Sequence, residues 1–298
     1  MTLMKEKESD IREFQALMSL LDEPDQAVFA EISKKINSLG PQIIPFLENE
    51  WENSYDIMIR ERVRALIREI QFNTIYEDFK VWIEDGCNDL LSACMILSRY
   101  QNPELSEDKI HRDISRIRKD IWLEMNDQLT ALEQINLFNH IFYEVHGFSG
   151  NSQQYHAPSN SFLSQVLDTR KGNPLSLGVL YMLIAQSLDM PIFGVNMPEH
   201  FILVYTDTRI DAEHEWGIQE GLFYINAFSK GTLYSKQEVV QFIQHLGYDP
   251  KPMYFKPCSN EDIVRRMLNN LIVAYSREGE DYRVHEVRTL QSLFSVSP

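Results

Sequence analysis

The sequence predicts an α+β protein in which helices dominate. Three observations carry that prediction. Apolar residues recur at helical spacing through most of residues 10–147 and again from 235 to the end. Between residues 192 and 228 the pattern changes to short β-branched and aromatic runs, as strands require. Gly, Pro, Asn and Asp clusters cut both regions into elements of ordinary length.

Residues 10 to about 72 read as helix pairs. Ile11, Phe14, Leu17, Met18, Leu20 and Leu21 form the first stripe, and Asp22-Glu23-Pro24-Asp25 breaks it. Val28, Phe29, Ile32, Ile36 and Leu39 resume it as far as Gly40-Pro41. A further helix runs from Ile57 to Ile70, with Val63, Leu66, Ile67 and Ile70 apolar. Short helices with Asp/Pro and Gly/Pro punctuation point to a HEAT-like region. One or two such units are too few for a free-standing array, so they are expected to pack onto the rest of the chain.

The helical period continues from 75 to 147. Phe79, Trp82 and Ile83 form one short stripe, and Leu90, Leu91, Cys94, Met95 and Leu97 the next, which Asn102-Pro103 ends. Ile110 to Met125 is charge-laced with Ile114, Ile117 and Ile121 apolar; Thr130 to Glu144 is a strongly patterned helix. Polar, glycine-bearing residues 146–155 then read as a loop. Asn160 is placed to cap a short helix carrying Leu163, Val166 and Leu167. Pro174 suits the first turn of the next helix, whose apolar face is Leu177, Leu180, Tyr181, Ile184, Ala185 and Leu188.

Ile192–Met197, His200–Thr206 and Leu222–Phe228 read as strands, with the charged stretch Asp207–Gln219 as a hairpin connection. Ser235 to Leu246 returns to helix. Two helices close the chain, one lined by Ile263, Val264, Met267, Leu268, Leu271 and Tyr275, the other by Val284, Val287, Leu290 and Phe294. The turn Arg277-Glu278-Gly279-Glu280-Asp281 joins them into a hairpin about one TPR repeat long.

Composition narrows the function classes. The net charge is −16 and no basic patch stands out, so nucleic acid and anionic membrane surfaces are not expected partners. No run of 18 apolar residues offers a membrane span. Met1–Glu8 is charged and has no apolar segment of the kind a signal peptide needs, so a cytoplasmic protein is expected. The three cysteines, Cys87, Cys94 and Cys258, lack both a disulfide framework and zinc-type spacing. His146, His156 and His200 share no i, i+4 spacing, so neither a metal nor a cofactor is expected.

The most informative stretch runs from Gly172-Asn173-Pro174-Leu175-Ser176-Leu177 to Pro198-Glu199-His200-Phe201. It reads as a helix start bearing a hydroxyl, followed by strands with a histidine at the start of the second. Papain-like and transglutaminase-like folds place a nucleophile and its base in this way. Here the nucleophile position holds Ser176 or, in another helix register, Pro174, and no cysteine. His200 has the residue type of a base and Asn226 that of its orienting partner. Tyr155, Asn160, Pro174 and Glu199 are candidate cleft-lining residues. Each also has a plain structural reading: Ser176 as a first-turn capping serine, His200 as a loop-anchored ring, Asn226 as a strand-end residue holding a turn.

From about Leu90 to Pro298 the chain resembles the bacterial SirB-type proteins. The resemblance lies in Gly147-Phe148-Ser149-Gly150-Asn151, Tyr155, Asn160-Ser161, Val166-Leu167, Arg170, Gly172–Leu177, Leu180-Tyr181, Val195 and Pro198-Glu199-His200-Phe201. It implies a transglutaminase-like, papain-like core at 89–258, preceded by the HEAT-like region at 1–88 and followed by a TPR-like hairpin at 259–298. Two departures stand out. Glu199 replaces the family's usual glycine, and Asn226-Ala227-Phe228-Ser229-Lys230-Gly231 replaces its usual Asp-Pro-Phe with paired glycines. Two functional readings follow, beside a purely structural one in which these polar residues only tie the core together. One is a non-catalytic module that binds a protein or peptide in the old cleft. The other is a hydrolase or acyl-transfer enzyme using Ser176, His200 and Asn226.

Overall fold

The computed structural model describes residues 16–206 and 221–295. The expectations for Met1–Glu8, Ile11, Phe14 and the 207–219 connection therefore lie outside the described residues. The chain divides into two compact units, residues 1–80 and 81–298.

In the first unit, α1 (Gln26–Ser38) starts where the Asp25 carboxylate accepts from the Ala27 and Val28 amides. Gly40, at φ 79°, and Pro41 turn the chain into α2 (Ile44–Asn53). α3 (Ile57–Glu84) begins under an Asp56 cap, whose Oδ1 accepts from the Met58 amide at 2.7 Å. Leu21, Ile32, Ile36, Ile43, Leu47, Val63, Leu66 and Ile70 form the core of these helices. α3 is one helix of 28 residues, where the sequence reading has two pieces. Neither glycine nor proline stands between Ile57 and Glu84, so nothing stops it.

The second unit carries a mixed α+β fold around a small antiparallel sheet. α4 (Leu90–Gln101) is capped by Asp89 and buried on most of its faces. α5 (Glu107–Glu124) buries Ile110, Ile114, Ile117 and Ile121, a stripe at i, i+4, i+7 and i+11. α6 (Ala131–Asn139) opens on a Thr130/Glu133 capping box and widens into a π-helical turn at His140–Val145. That turn feeds an aromatic cluster: Phe142 stacks on Phe148 at 4.4 Å, and Phe138 lies 4.0 Å from Tyr181.

α7 (Leu163–Thr169) and α8 (Pro174–Ser187) follow. A two-residue parallel bridge between β1 (Ser149–Gly150) and β2 (Lys171–Gly172) ties the 146–155 loop to the entrance of α8. The sheet is β3 (Ile192–Asn196), β4 (Phe201–Thr206), β5 (Gly221–Asn226) and β6 (Thr232–Tyr234), antiparallel in chain order. β6 has only three residues and no pattern the sequence reading could catch. α8 packs on β3 and β4. Val239 and Ile243 of α9 (Lys236–His245) join Val195, Ile202, Val204 and Tyr224 in a second core. All six residues of β4 are buried. α10 (Asn260–Glu278) and α11 (Asp281–Ser292) form the closing hairpin, and Gly279 at φ 74° ends α10 in the left-handed region. α10 packs against the 158–161 turn, α4 and β3.

One capping expectation is corrected. Phe162 occupies the N-cap of α7, with no side-chain bond. The Asn160 carboxamide faces the preceding loop instead. It accepts from Asn151 Nδ2 at 2.9 Å and donates to the carbonyls of Gln154 and Tyr155. The Oδ1 that could have capped the helix is taken by Asn151, while the Nδ2 is held by the loop carbonyls.

Candidate functional site

Pro174 is the first residue of α8, where a missing N–H costs nothing. Asn173 caps the helix: its Oδ1 accepts from the Ser176 amide at 2.9 Å. Ser176 Oγ accepts from the Asn173 amide at 3.0 Å and donates to the Asn173 carbonyl at 3.3 Å. The two residues thus close a reciprocal capping box. Asn173 Nδ2 donates in turn to Ser161 Oγ at 3.2 Å. Ser176 is 3 % exposed, and a Cβ at Gly172 would lie 2.7 Å from its Oγ. The hydroxyl is therefore engaged on the backbone at its own helix start.

His200 falls in the link between β3 and β4. Glu199 just before it has φ 59°, a left-handed conformation in which glycine is free of strain and glutamate is not. Side chains alternate through the turn and into β4. Glu199 and Phe201 face a cleft, while the His200 ring meets Phe242 of α9 edge-on at 4.8 Å. The buried His200 Nδ1 has no hydrogen-bond partner among the described residues. Asn226 ends β5, where its Oδ1 accepts from the amides of Phe228 and Ser229 at 3.1 Å. The hydrogen bonds of Ser176 and Asn226 thus run to neighbouring backbone, and none joins either residue to His200.

The cleft itself has a volume of about 370 Å³. It is lined by Asn173, Pro174 and Leu175 at the start of α8, by Glu199 and Phe201, and by Tyr155, His156 and Ser161 from the preceding loop and turn. The fourth boundary is a face of α10: Arg266, Asn270, Val273, Ala274 and Arg277. These positions follow i, i+4, i+7, i+8 and i+11, so one face of the helix presents them all. Asn160 lies beneath the loop and is 3 % exposed. Sequence reasoning did not single out the two arginines. The available signal was their eleven-residue spacing, which puts them on one face three turns apart.

Arg266 is half-buried, and its Nη1 donates to Met197 O at 2.9 Å and Asn196 Oδ1 at 3.2 Å. Burial presses its pKa below the ordinary arginine value, while the neighbouring Cys258 and Tyr155 pull the other way. Arg277 is exposed. The thiols stand apart from this chemistry. Burial pushes Cys94 and Cys258 up to about 12 and raises Cys87, and none of the three borders the cleft. Neutral, buried thiols are poor nucleophiles. His146 bonds Asp120 at 3.0 Å and does not border the cleft. Among the described residues, no group of three His, Cys, Asp or Glu is placed to hold a metal ion, and no helix is long and apolar enough to cross a membrane.

Comparison with known proteins identifies the kind of domain. A model of the transglutaminase-like superfamily matches residues 108–269. A UPF0162 protein of Vibrio cholerae is 28 % identical over 193 residues, 64 % of this chain and 67 % of that protein. The UPF0162 protein YchA of Escherichia coli is 24 % identical over 215 residues, covering 71 % of this chain and 74 % of that one. Human F-box only protein 21 is 31 % identical over 248 residues, 79 % of this chain but 38 % of the longer protein. No solved structure matches the chain.

Proposed function

The chain belongs to the transglutaminase-like superfamily, and from that premise we propose that it binds a peptide or protein segment in the cleft at the start of α8 without cutting or cross-linking it. One observation carries the reading. The α8 residues that border the cleft, Pro174 and Leu175, have no nucleophilic atom, while Ser176 does not border it and is turned back onto Asn173. An acyl-transfer mechanism needs a nucleophile in contact with its base. For Ser176 to serve, it would first have to leave the capping box and give up a buried pair of hydrogen bonds.

Three further features support a binding role. The cleft sets polar and charged groups beside apolar ones, a lining suited to a polar ligand such as a peptide. The thiols are held neutral. Within F-box only protein 21 the matching stretch makes up a minor part of a longer chain, which suits a module that attaches rather than acts alone. On this reading α10 and α11 are the TPR-like hairpin of a SirB-type cytoplasmic protein, supplying one wall of the site.

The test has two arms on the full chain. Fluorophosphonate and iodoacetamide probes, followed by peptide mapping, should leave Ser176 unlabelled. Selection from a phage-displayed nine-residue peptide library should enrich sequences that lose binding to a Val273→Trp protein, whose indole fills the cleft. A covalent adduct at Ser176 would favour the hydrolase. Enriched peptides that bind Val273→Trp unchanged would remove the cleft from the account.

A further inference from the structure

We propose that the cleft recognises acidic peptide segments, with Arg266 and Arg277 holding the carboxylates of aspartate or glutamate side chains. The inference rests on the cleft being a binding site and names what it selects.

Charge is the first argument. The molecule carries −16 overall, yet both long cationic side chains on the cleft face of α10 border this one cavity. No ion pair joins either arginine to a carboxylate of the protein among the described residues. Arg266 is held by neutral acceptors, Asn196 Oδ1 and Met197 O, which fix the guanidinium without cancelling its charge. Only Nη1 is committed in that way. The planar fork has five N–H donors, so the remainder is left to bind a carboxylate from the cleft side. A half-buried cation that lacks a counter-ion is costly, and an incoming carboxylate offsets that cost. The lowered pKa of Arg266 is the same cost seen from the proton's side.

Shape is the second argument. Arg266 and Arg277 lie about 16 Å apart along the helix, from a rise of about 1.5 Å per residue. An extended peptide covers that distance in about five residues. Val273, 51 % exposed, lies between them on the same helix face, and its apolar surface suits an intervening side chain. The first residues of α8, at the positive end of that helix, also border the cavity. Glu199 also lines the cavity, where it accepts from Tyr248 Oη at 3.2 Å and contributes a carboxylate. A polyanion such as nucleic acid would meet that carboxylate and the net negative field, so a peptide with isolated acids fits better.

The experiment uses the phage-displayed nonamer library on the full chain. Displayed peptides are fused at their C-termini, so only side chains supply carboxylates. Enriched sequences are expected to carry two acidic residues four to six positions apart. Synthesised with capped ends, such a peptide should weaken at least tenfold when its acids become Asn or Gln. The same exchange should change binding less than threefold in Arg266→Gln. Arg277→Gln, whose side chain anchors nothing in the fold, should lose binding at least threefold and so tests the idea even if Arg266→Gln is misfolded. Peptides displaced by Val273→Trp but without enriched acids would overturn the carboxylate inference and leave the binding cleft standing. Binding only to peptides with a free C-terminus, or full competition by millimolar inorganic phosphate against a neutral peptide, would overturn it as well. No enrichment sensitive to Val273→Trp would instead overturn the reading on which it rests.

Discussion

Ser176 and Asn173 decide what the start of α8 does. Their reciprocal bonds satisfy two amides that a helix start otherwise leaves open. In a site that is 3 % exposed, water cannot replace them. Ser176→Ala should therefore cost about 1–2 kcal/mol from the lost cap and the unsatisfied Asn173 amide. Urea unfolding should show that loss as a lower midpoint with an unchanged slope. Peptide binding in the cleft should stay within twofold, because the hydroxyl points at the backbone and not into the cavity. A serine nucleophile would behave the opposite way: stability barely moved, turnover on an acyl or amide substrate abolished. The plain structural reading of Ser176 was legible in the sequence, since a residue two after a first-turn proline is a natural capping-box partner. The direction of His200 was not. Histidine at a strand start can face either side, and the choice was made by the Glu199 turn, whose left-handed backbone no local pattern announces.

At the scale of elements, the strongly periodic or β-branched segments were readable and the borderline ones were not. β3, β4 and β5 stood out through their Ile, Val and aromatic content, and α10 and α11 through long apolar stripes around a glycine turn. The length of α3 escaped because its apolar residues lose a single face along 28 residues, so the pattern looked like two helices. The cleft wall escaped for a related reason. The apolar stripe of α10 drew attention to the buried side, while Arg266 and Arg277 lie on the flank, and only the fold shows what stands opposite. α4 supplies a prediction of its own. It is buried nearly all round, and Cys94 within it is driven from 9.0 to about 12 by burial first and by Asp89 second. In the unfolded chain the thiol ionises near 9.0, while in the fold it stays protonated to about 12. The unfolded state then binds fewer protons, so stability is intact below pH 9 and falls as pH climbs from 9 toward 12. Each such thiol contributes a slope of up to about 1.4 kcal/mol per pH unit in that window. Urea titrations from pH 8 to 11 should give a flatter decline for Cys94→Ala than for the parent. Parallel declines would mean the thiol is not held neutral.

At the scale of the whole molecule, two fields act on an acidic peptide in opposite directions. Far from the surface the peptide meets a net charge of −16, which repels it. Within the cleft it meets two arginines, which attract it. Salt screens both, yet at different stages of binding. The screening length is about 10 Å at 0.1 M salt, so long-range repulsion fades quickly while short-range contacts inside a cavity weaken less. Association senses the long-range field, and dissociation senses the contacts. Raising sodium chloride from about 20 to 200 mM should thus speed association several-fold, the reverse of ordinary electrostatic steering, and speed dissociation at the same time. Stopped-flow fluorescence with a labelled, end-capped acidic nonamer separates the two rates. In Arg277→Gln the acceleration of association should persist, because the global charge is little changed, while dissociation should already be fast and respond less to salt. Association that slows with salt in the parent protein would mean that the local arginine field extends beyond the cleft and dominates the approach. That outcome would shift the source of selectivity from the contacts to the encounter.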